Sequence, residues 1–151
     1  MKFFTFKKQL FLTLLLSSFI LADPPSSWDS NGDGEFDNIT DYQNSASLTS
    51  QITMDGVDIG SQGDMFAAYV GDELRGIAPH YEVTFGPNQG KYFFLILVYS
   101  NASSGETVTF KFYDSETNLV YDISESVEFE LNLALGNILE PVEFNIYLGI
   151  D

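Results

Sequence analysis

From about residue 45 onward, short apolar runs alternate with clusters of Gly, Asn, Asp and Ser. This pattern is typical of an all-β fold, because turn residues separate short strands. Residues 107–112 and 127–133 are apolar at every second position, so each strand should bury one face and expose the other. No segment has the periodicity of an amphipathic helix. The predicted strands are 46–54, 65–70, 74–78, 81–85, 91–99, 107–113, 119–123, 127–133 and 142–148.

Two of these strands have distinctive patterns. Residues 92–99 are apolar at every position, which predicts a central strand covered on both faces. The alternative is a strand that leaves one face for a partner. Residues 142–148 alternate directly after Pro141, which predicts an edge or terminal strand that completes its own sheet or a neighbour's. Together the strands predict an antiparallel β-sandwich, either Ig-like or jelly-roll-like.

The first residues read as a secretory signal. Lys2, Lys7 and Lys8 precede an apolar run at 10–21, and Ala22 offers a small residue for cleavage. A bilayer span needs about 20 apolar residues, so this run is too short to be one. The chain has no cysteine, so we expect a secreted protein without disulfides. The predicted parts are a signal peptide at 1–22, an N-terminal segment at 23–44 and a β-sandwich at 45–151.

The charge is strongly negative. Three of the six basic residues lie in the signal, which leaves Arg75, Lys91 and Lys111 against 22 acidic residues, a net charge of −19. Nucleic-acid binding is excluded, because phosphate contacts need a basic surface. The acidic residues repel one another, and bound divalent cations would relieve that repulsion. The alternative is a solvated acidic surface that only maintains solubility.

Residues 29–41 place oxygen-bearing side chains at alternate positions around a glycine turn, as a calcium loop does. An EF-hand loop takes its ligands from positions 1, 3, 5, 7, 9 and 12, with glycine at 6. Here the glycine is Gly34, the twelfth position is Thr40, and the nearest carboxylate is displaced by one residue. The sequence therefore predicts calcium as the cofactor. The expected ligands are Asp29, Asn31, Asp33, Glu35 through its carbonyl, Asp37 and Asp41.

A helix cannot precede this loop, because Pro24 and Pro25 remove backbone donors and hold the preceding residue extended. The loop resembles those of dockerins and thrombospondin type 3 repeats, which also function without a full EF-hand. We expect Trp28 to pack beneath the loop. The alternative interpretation is an ordinary turn rich in Asp, Asn and Gly before the first strand.

Residues 63–76 carry Gly-Asp at the start, Ala-Ala in the middle and Glu-Leu-Arg-Gly at the end. They resemble the GDxxAAFVGDExRG element of a module found in secreted, largely marine, bacterial proteins. The resemblance implies an extracellular β-domain, with no catalytic role attached to it. Arg75 is expected to pair with Asp64, Asp72 or Glu73. The alternative role for this arginine is contact with a carboxylated or sulfated glycan. Further motifs in the same order lie at 99–101, 105–110, 112–114 and 118–121.

Catalytic signatures are missing from the sequence. His80 is the sole histidine, and neither a Gly-x-Ser-x-Gly elbow nor a phosphate-binding loop occurs. Zinc sites normally recruit several His or Cys ligands, which this chain cannot supply. We therefore predict that the protein is not an enzyme. Asn38 and Asn101 begin N-x-S/T sequons and are candidate glycosylation sites.

The predicted function is that of a secreted, calcium-stabilised structural or adhesive subunit, with self-assembly into filaments by strand exchange as a further expectation. The expected partners are copies of itself or other extracellular surface proteins, with glycans as a further candidate. The alternative function is a carbohydrate-binding module, which would need aromatic rings on an exposed flat face. A more remote alternative is a secreted hydrolase. The candidate sugar-binding rings are Trp28, Tyr42, Tyr81 and Tyr99.

Overall fold

The computed structural model describes residues 23–149, so the predicted signal at 1–22 lies outside the described residues. The described chain is all-β, and its antiparallel sheet curls into a half-barrel, which confirms the predicted fold class. A single 3-10 turn at Ile39–Asp41 precedes the strands. These are β1 (Asn44–Met54), β2 (Val57–Asp58), β3 (Met65–Val70), β4 (Glu73–Glu82), β5 (Tyr92–Ser100), β6 (Ser104–Asp114), β7 (Leu119–Glu130), β8 (Ala134–Leu135) and β9 (Val142–Ile146).

The strands follow the order β2-β1-β5-β4-β3-β6-β7, and β8 and β9 also pair with β1. All pairings in this order are antiparallel, whereas β8 and β9 run parallel to β1. In β9, Val142 is opposite Ser50 and Ile146 is opposite Met54. The last predicted strand therefore joins its own sheet beside the first.

Strand β4 links the two halves of the half-barrel and unites two predicted strands, 74–78 and 81–85. It pairs with β3 as far as Pro79 and with β5 from His80 onward. Because proline has no backbone N–H, it is tolerated where one ladder ends and another begins. Pro79, which lies between the two predicted strands, therefore marks a change of partner strand.

Strand β7 also unites two predicted strands, 119–123 and 127–133. Its pairing with β6 shifts between Ile123 and Ser126, which is the signature of a β-bulge. The polar residues 124–126 between the two predicted strands form this bulge. The Glu125 carboxylate within it accepts a hydrogen bond from the Asn145 amide of β9 at 3.1 Å. The bulge therefore places a side chain of β7 against the last strand.

The first apolar core fills the inside of the half-barrel. Phenylalanines from several strands meet there, and the ring centroids of Phe110 and Phe144 are 4.7 Å apart. Phe66 of β3 stacks on Phe110 at 5.1 Å. The final strand is thus part of the core. The buried residues of this first core are Ala46, Leu48, Ile52, Phe66, Ala68, Ala78, Phe94, Ile96, Val98, Val108, Phe110, Phe112, Ile123, Phe129, Phe144 and Ile146.

A second apolar cluster lies on the opposite face of β3, where alternate residues point away from the first core. Met65 and Ala67 contribute from β3, and Trp28 and Phe36 cover them from the N-terminal segment. The N-terminal segment therefore supplies the layer that buries the outer face of β3. The buried members are Trp28, Phe36, Met65, Ala67, Ile77 and Tyr113.

The outer face of β5 is open at Leu95 and Leu97, although Phe93 on the same face is buried, so the prediction that both faces are covered is wrong in the middle of the strand. Leu95 and Leu97 are 45% and 46% exposed, whereas Phe94 and Ile96 beside them are buried. An apolar run has no alternation from which to tell a covered face from an open one. The alternative interpretation, a strand that leaves one face for a partner, matches this geometry.

Candidate functional site

The first part of the predicted calcium loop, residues 29–35, lies between two buried aromatic residues. Trp28 and Phe36 are only 3% and 5% exposed, so Trp28 is buried as expected. The Phe36 ring stacks on Tyr42 at 6.1 Å and on Tyr99 at 5.7 Å between centroids. Two buried aromatic residues thus hold the loop between them against the sheet.

Asp29 organises the first half of the loop. One of its carboxylate oxygens accepts a hydrogen bond from the Gly32 amide, and the other accepts one from the Gly34 amide, both at 2.7 Å. Both glycines have positive φ, 78° and 79°, which other residues adopt only with strain. The backbone therefore wraps around the carboxylate as the glycine spacing predicts.

The next two expected ligands repeat a shorter turn. The Asn31 side-chain oxygen accepts a hydrogen bond from the Asp33 amide at 2.9 Å, and the Asp33 carboxylate accepts one from the Glu35 amide at 2.8 Å. Such bonds between a side chain and the backbone two residues on define Asx turns. These two turns hold the side-chain oxygens of Asn31 and Asp33 in position within the loop.

The last two expected ligands have different neighbours. The Asp37 carboxylate accepts hydrogen bonds from the amide and the hydroxyl of Ser30, at 3.1 and 2.7 Å. These donors stabilise the charged form, so the pKa of Asp37 is lowered. Asp41 lies in the 3-10 turn, and its carbonyl accepts a hydrogen bond from Asn101 at 2.9 Å. Asp37 is therefore hydrogen-bonded to another residue of the loop. The Asp41 carbonyl is hydrogen-bonded instead to the connection between β5 and β6.

Within residues 23–149, no group of three or more His, Cys, Asp or Glu side chains is arranged to hold a metal ion. The expected set also includes the Asn31 amide oxygen and the Glu35 carbonyl, which are donor types that calcium takes. A carboxylate oxygen that accepts one hydrogen bond keeps a further lone pair. The donors therefore suit calcium chemically, and calcium binding stays a prediction.

The two candidate glycosylation sites differ in their contacts. Asn38 is exposed at the start of the 3-10 turn. The Asn101 side chain donates to the Asp41 carbonyl and accepts from the Gln43 amide at 3.1 Å. A glycan on Asn101 would be attached to the nitrogen that donates to Asp41. Asn101 thus fastens the end of the N-terminal segment to the sheet.

Arg75 is 8% exposed and joins two carboxylates. Its guanidinium lies 3.0 Å from Glu73 and 3.3 Å from Glu106, and it donates to the Tyr99 carbonyl at 3.2 Å. Burial lowers the pKa of Arg75, but the two carboxylates raise it more, so the net shift is upward. Of the three predicted partners only Glu73 is bonded. Sequence reasoning missed Glu106 because β6 brings it from a distant part of the chain.

Asp64, another predicted partner of Arg75, is 1% exposed and has a different role. Its carboxylate accepts hydrogen bonds from the amides of Ser61 and Ser115, at 2.7 and 2.8 Å. His80 lies close by, and its Nδ1 accepts a hydrogen bond from the Gly63 amide at 3.0 Å. These contacts hold the turn before β3.

A groove of about 290 Å³ runs between the loop and the outer face of β5. We call it the β5 groove. Its residues are Gly34, Glu35, Phe36 and Ile39 on the loop side, and Ile77, Pro79, Leu95, Leu97 and Tyr99 on the sheet side. Glu35 is the one charged member of this lining. Burial raises the pKa of Tyr99, and the Glu35 carboxylate raises it further, so this carboxylate lies within electrostatic reach of the tyrosine.

The aromatic rings expected for sugar binding are dispersed. Trp28 is buried, and Tyr42 and Tyr99 are half-buried in the stack with Phe36. Tyr81 is 40% exposed on β4. These four rings therefore do not share one exposed flat face.

Comparison with known proteins gives no indication of function, so a proposed function rests on the fold and on the geometry of the site. No protein-family model, curated protein or solved structure gives a significant match. The resemblance of residues 63–76 to a secreted module stays a prediction. In the stretch 23–149, no helix is long and apolar enough to cross a membrane. What the structure defines is an acidic, all-β half-barrel domain with a docked N-terminal loop and an open apolar groove.

Proposed function

We propose that the protein is a secreted, calcium-stabilised structural or adhesive subunit that acts through contacts with other molecules and not through catalysis. The N-terminal loop supports the calcium part of this proposal. Trp28 and Phe36 fix the loop to the sheet, so a cation bound between them would fasten the whole N-terminal segment to the domain. The signal-like residues 1–22 support secretion.

The proposed role in contacts with other molecules rests mainly on the last strand, β9. β9 pairs with β1 along its length, and its Phe144 and Ile146 side chains fill the first core. Directly after it, Tyr147 and Leu148 are 70% and 50% exposed. A strand of this kind, with a ladder on one edge only, can leave its own sheet and complete that of another copy, which builds chains of subunits.

The opposite edge of β9 supports the same proposal. It faces β7, but in the described part of the chain the two strands form no backbone ladder. Their polar link is the bond from the Asn145 amide to the Glu125 carboxylate. β9 is therefore held by one ladder and by its core side chains, and both could be supplied equally well by the same strand of a neighbouring copy.

A disulfide that locks β9 to β1 tests strand exchange. Gln51 and Glu143 are Cα partners, and the chain has no cysteine of its own. Adjacent strands bring paired residues within the Cα separation of about 4.4–6.8 Å that a disulfide needs. We expect Gln51→Cys/Glu143→Cys to stay monomeric when oxidised and to assemble in calcium when reduced, as measured by analytical ultracentrifugation.

The matched control is Lys111→Cys/Asp122→Cys, which locks β6 to β7 through another pair of Cα partners. This variant should assemble like the wild-type protein in both redox states. A wild-type protein that stays monomeric at every calcium concentration would contradict assembly. Filaments of the oxidised Gln51→Cys/Glu143→Cys variant would show that assembly uses another surface.

A further inference from the structure

The floor of the β5 groove is an apolar strip with defined borders. Leu95 and Leu97 point outward from β5, and Ile39 of the 3-10 turn, 40% exposed, faces the same groove. On the other side, the Cα partners of the two leucines on β1 are Thr49 and Ser47. The apolar surface is therefore a strip along one strand, bounded by hydroxyl-bearing residues and by the loop.

The open shape of the groove favours side chains of a peptide over a compact organic ligand. Sites for drug-sized molecules occupy about 300–1,000 Å³ and enclose most of the ligand. At about 290 Å³ the β5 groove lies at the lower end of that range, and it is open to solvent instead of enclosed. An extended peptide can place alternate side chains into such a strip.

The charge around the groove indicates a basic partner. Glu35 lies in the lining, and residues 23–151 carry a net charge of −19. In the predicted calcium complex, Glu35 would give its backbone carbonyl to the ion, so its carboxylate would remain free for a partner. Complementary charge of this kind steers partners and selects among them.

A second copy of this chain is poorly suited to the groove. Of the three basic residues in 23–149, Arg75 is paired with Glu73 and Glu106, and Lys111 is paired with Asp122 at 2.6 Å. Another copy would therefore bring few cations and a large negative charge. Sugars are also a poor fit, because the floor is aliphatic.

We infer that the β5 groove binds an extended segment of another extracellular protein in which apolar side chains alternate with Lys or Arg. The apolar side chains contact Leu95 and Leu97, and the basic side chains face Glu35. This inference rests on the proposed role as a contact subunit and names the partner chemistry. It is separate from strand exchange, which uses β9.

The test uses short fluorescent peptides of alternating Leu and Lys, with Leu/Glu and Ser/Lys peptides as controls, and fluorescence anisotropy as the measurement. We expect the Leu/Lys peptide to bind, and to bind more weakly as ionic strength rises. Leu97→Ser should weaken binding about tenfold, the effect of losing a central apolar contact. Glu35→Gln should weaken binding and reduce its salt dependence.

The matched controls are Leu119→Ser, which changes a leucine 52% exposed on β7, and Glu116→Gln in the turn before it. Both should bind like the wild-type protein, and thermal melts should show that all four variants are folded. Equal binding by Leu97→Ser and Leu119→Ser would overturn the inference. So would equal binding of the Ser/Lys peptide, or self-association that Leu97→Ser abolishes.

Repeating the titration on oxidised Gln51→Cys/Glu143→Cys separates the two proposals. The locked variant should bind the peptide although it stays monomeric. Peptide binding by a wild-type protein that stays monomeric at every calcium concentration would support the groove and contradict strand exchange. Assembly without peptide binding would overturn the groove alone.

Discussion

Trp28 and Phe36 flank residues 29–35 of the calcium-like loop and are buried in one cluster against the outer face of β3. The loop is therefore closed at its base by two large apolar side chains. Because these side chains also cover Met65 and Ala67, the N-terminal segment is a structural layer of the domain. Removing one of the two should affect both the loop and the sheet.

Phe36→Ala should lower the free energy of unfolding by about 3–5 kcal/mol, the usual cost of truncating a buried phenylalanine. Urea denaturation measures this loss, and fluorescence of Trp28, the sole tryptophan, reports whether the segment leaves the sheet. Phe85→Ala is the matched control, because Phe85 is 59% exposed. Equal losses in the two variants would contradict the anchoring role.

Calcium should raise the thermal stability of the protein, because an ion that binds only the folded state stabilises it by mass action. At a calcium concentration about a hundredfold above Kd, the gain is about 2.7 kcal/mol. Asp33→Asn should abolish this calcium-dependent increment. Differential scanning calorimetry in calcium and in chelator measures it.

Asp72→Asn is the control for the calcium prediction, because Asp72 is an exposed turn residue outside the loop. It should keep the full increment. Asp41→Asn decides whether the displaced carboxylate takes part in binding. An unchanged melting temperature in calcium and in chelator would contradict the metal site altogether.

Gly136→Ala should destabilise the protein more than Gly90→Ala. Both glycines have positive φ, 71° and 86°, so each alanine costs about 1–2 kcal/mol of backbone strain. A Cβ on Gly136 would also clash with the Thr49 carbonyl and lie 2.8 Å from the Val142 nitrogen, whereas Gly90 has open space. Urea denaturation should show the larger loss for Gly136→Ala, and equal losses would contradict close packing of β9 on β1.

Alkaline pH should weaken the second cluster first. Burial raises the pKa of Tyr42, Tyr69, Tyr99 and Tyr113 above the ordinary value of 10.0. A raised pKa in the folded state means that the unfolded state loses its proton first. The stabilisation is therefore complete below about pH 10 and is lost as the pH rises through the folded-state pKa values.

Urea denaturation between about pH 9 and pH 11 measures this decline. Tyr99→Phe should reduce the slope, since phenylalanine has no proton to lose. Tyr147→Phe changes an exposed tyrosine outside the cluster and should leave the slope unaltered. A free energy of unfolding that stays constant over this range would contradict the prediction.

The sequence predicted the fold class because alternation in strands such as β6 directly reflects which side chains face the core. It divided β4 and β7 into two predicted strands each, with gaps at 79–80 and 124–126. In the structure the first marks a change of partner strand and the second is a bulge. Local composition does not distinguish these cases, because pairing partners come from distant parts of the chain.

The candidate site was predicted in part. The spacing around Gly34 indicated the turn geometry that Asp29 adopts, since Asx turns depend on neighbouring residues only. The β5 groove was not predicted, because it forms between the loop and a strand far along the chain. Leu97 had no distinguishing sign within a wholly apolar run, and its exposure depends on where the N-terminal segment stops covering the sheet.

The pairing of β9 with β1 has a consequence for folding. The first core needs Phe144, and the ladder that holds it joins residues such as Thr53 and Asn145, which are 92 positions apart. Contacts of such long range form slowly, since the entropy of closing the loop is lost before the contacts are gained. The chain should therefore stay unfolded until β9 has been synthesised. For a protein that is secreted as we propose, a late, slow folding step of this kind would keep the polypeptide open during transport through a narrow export channel.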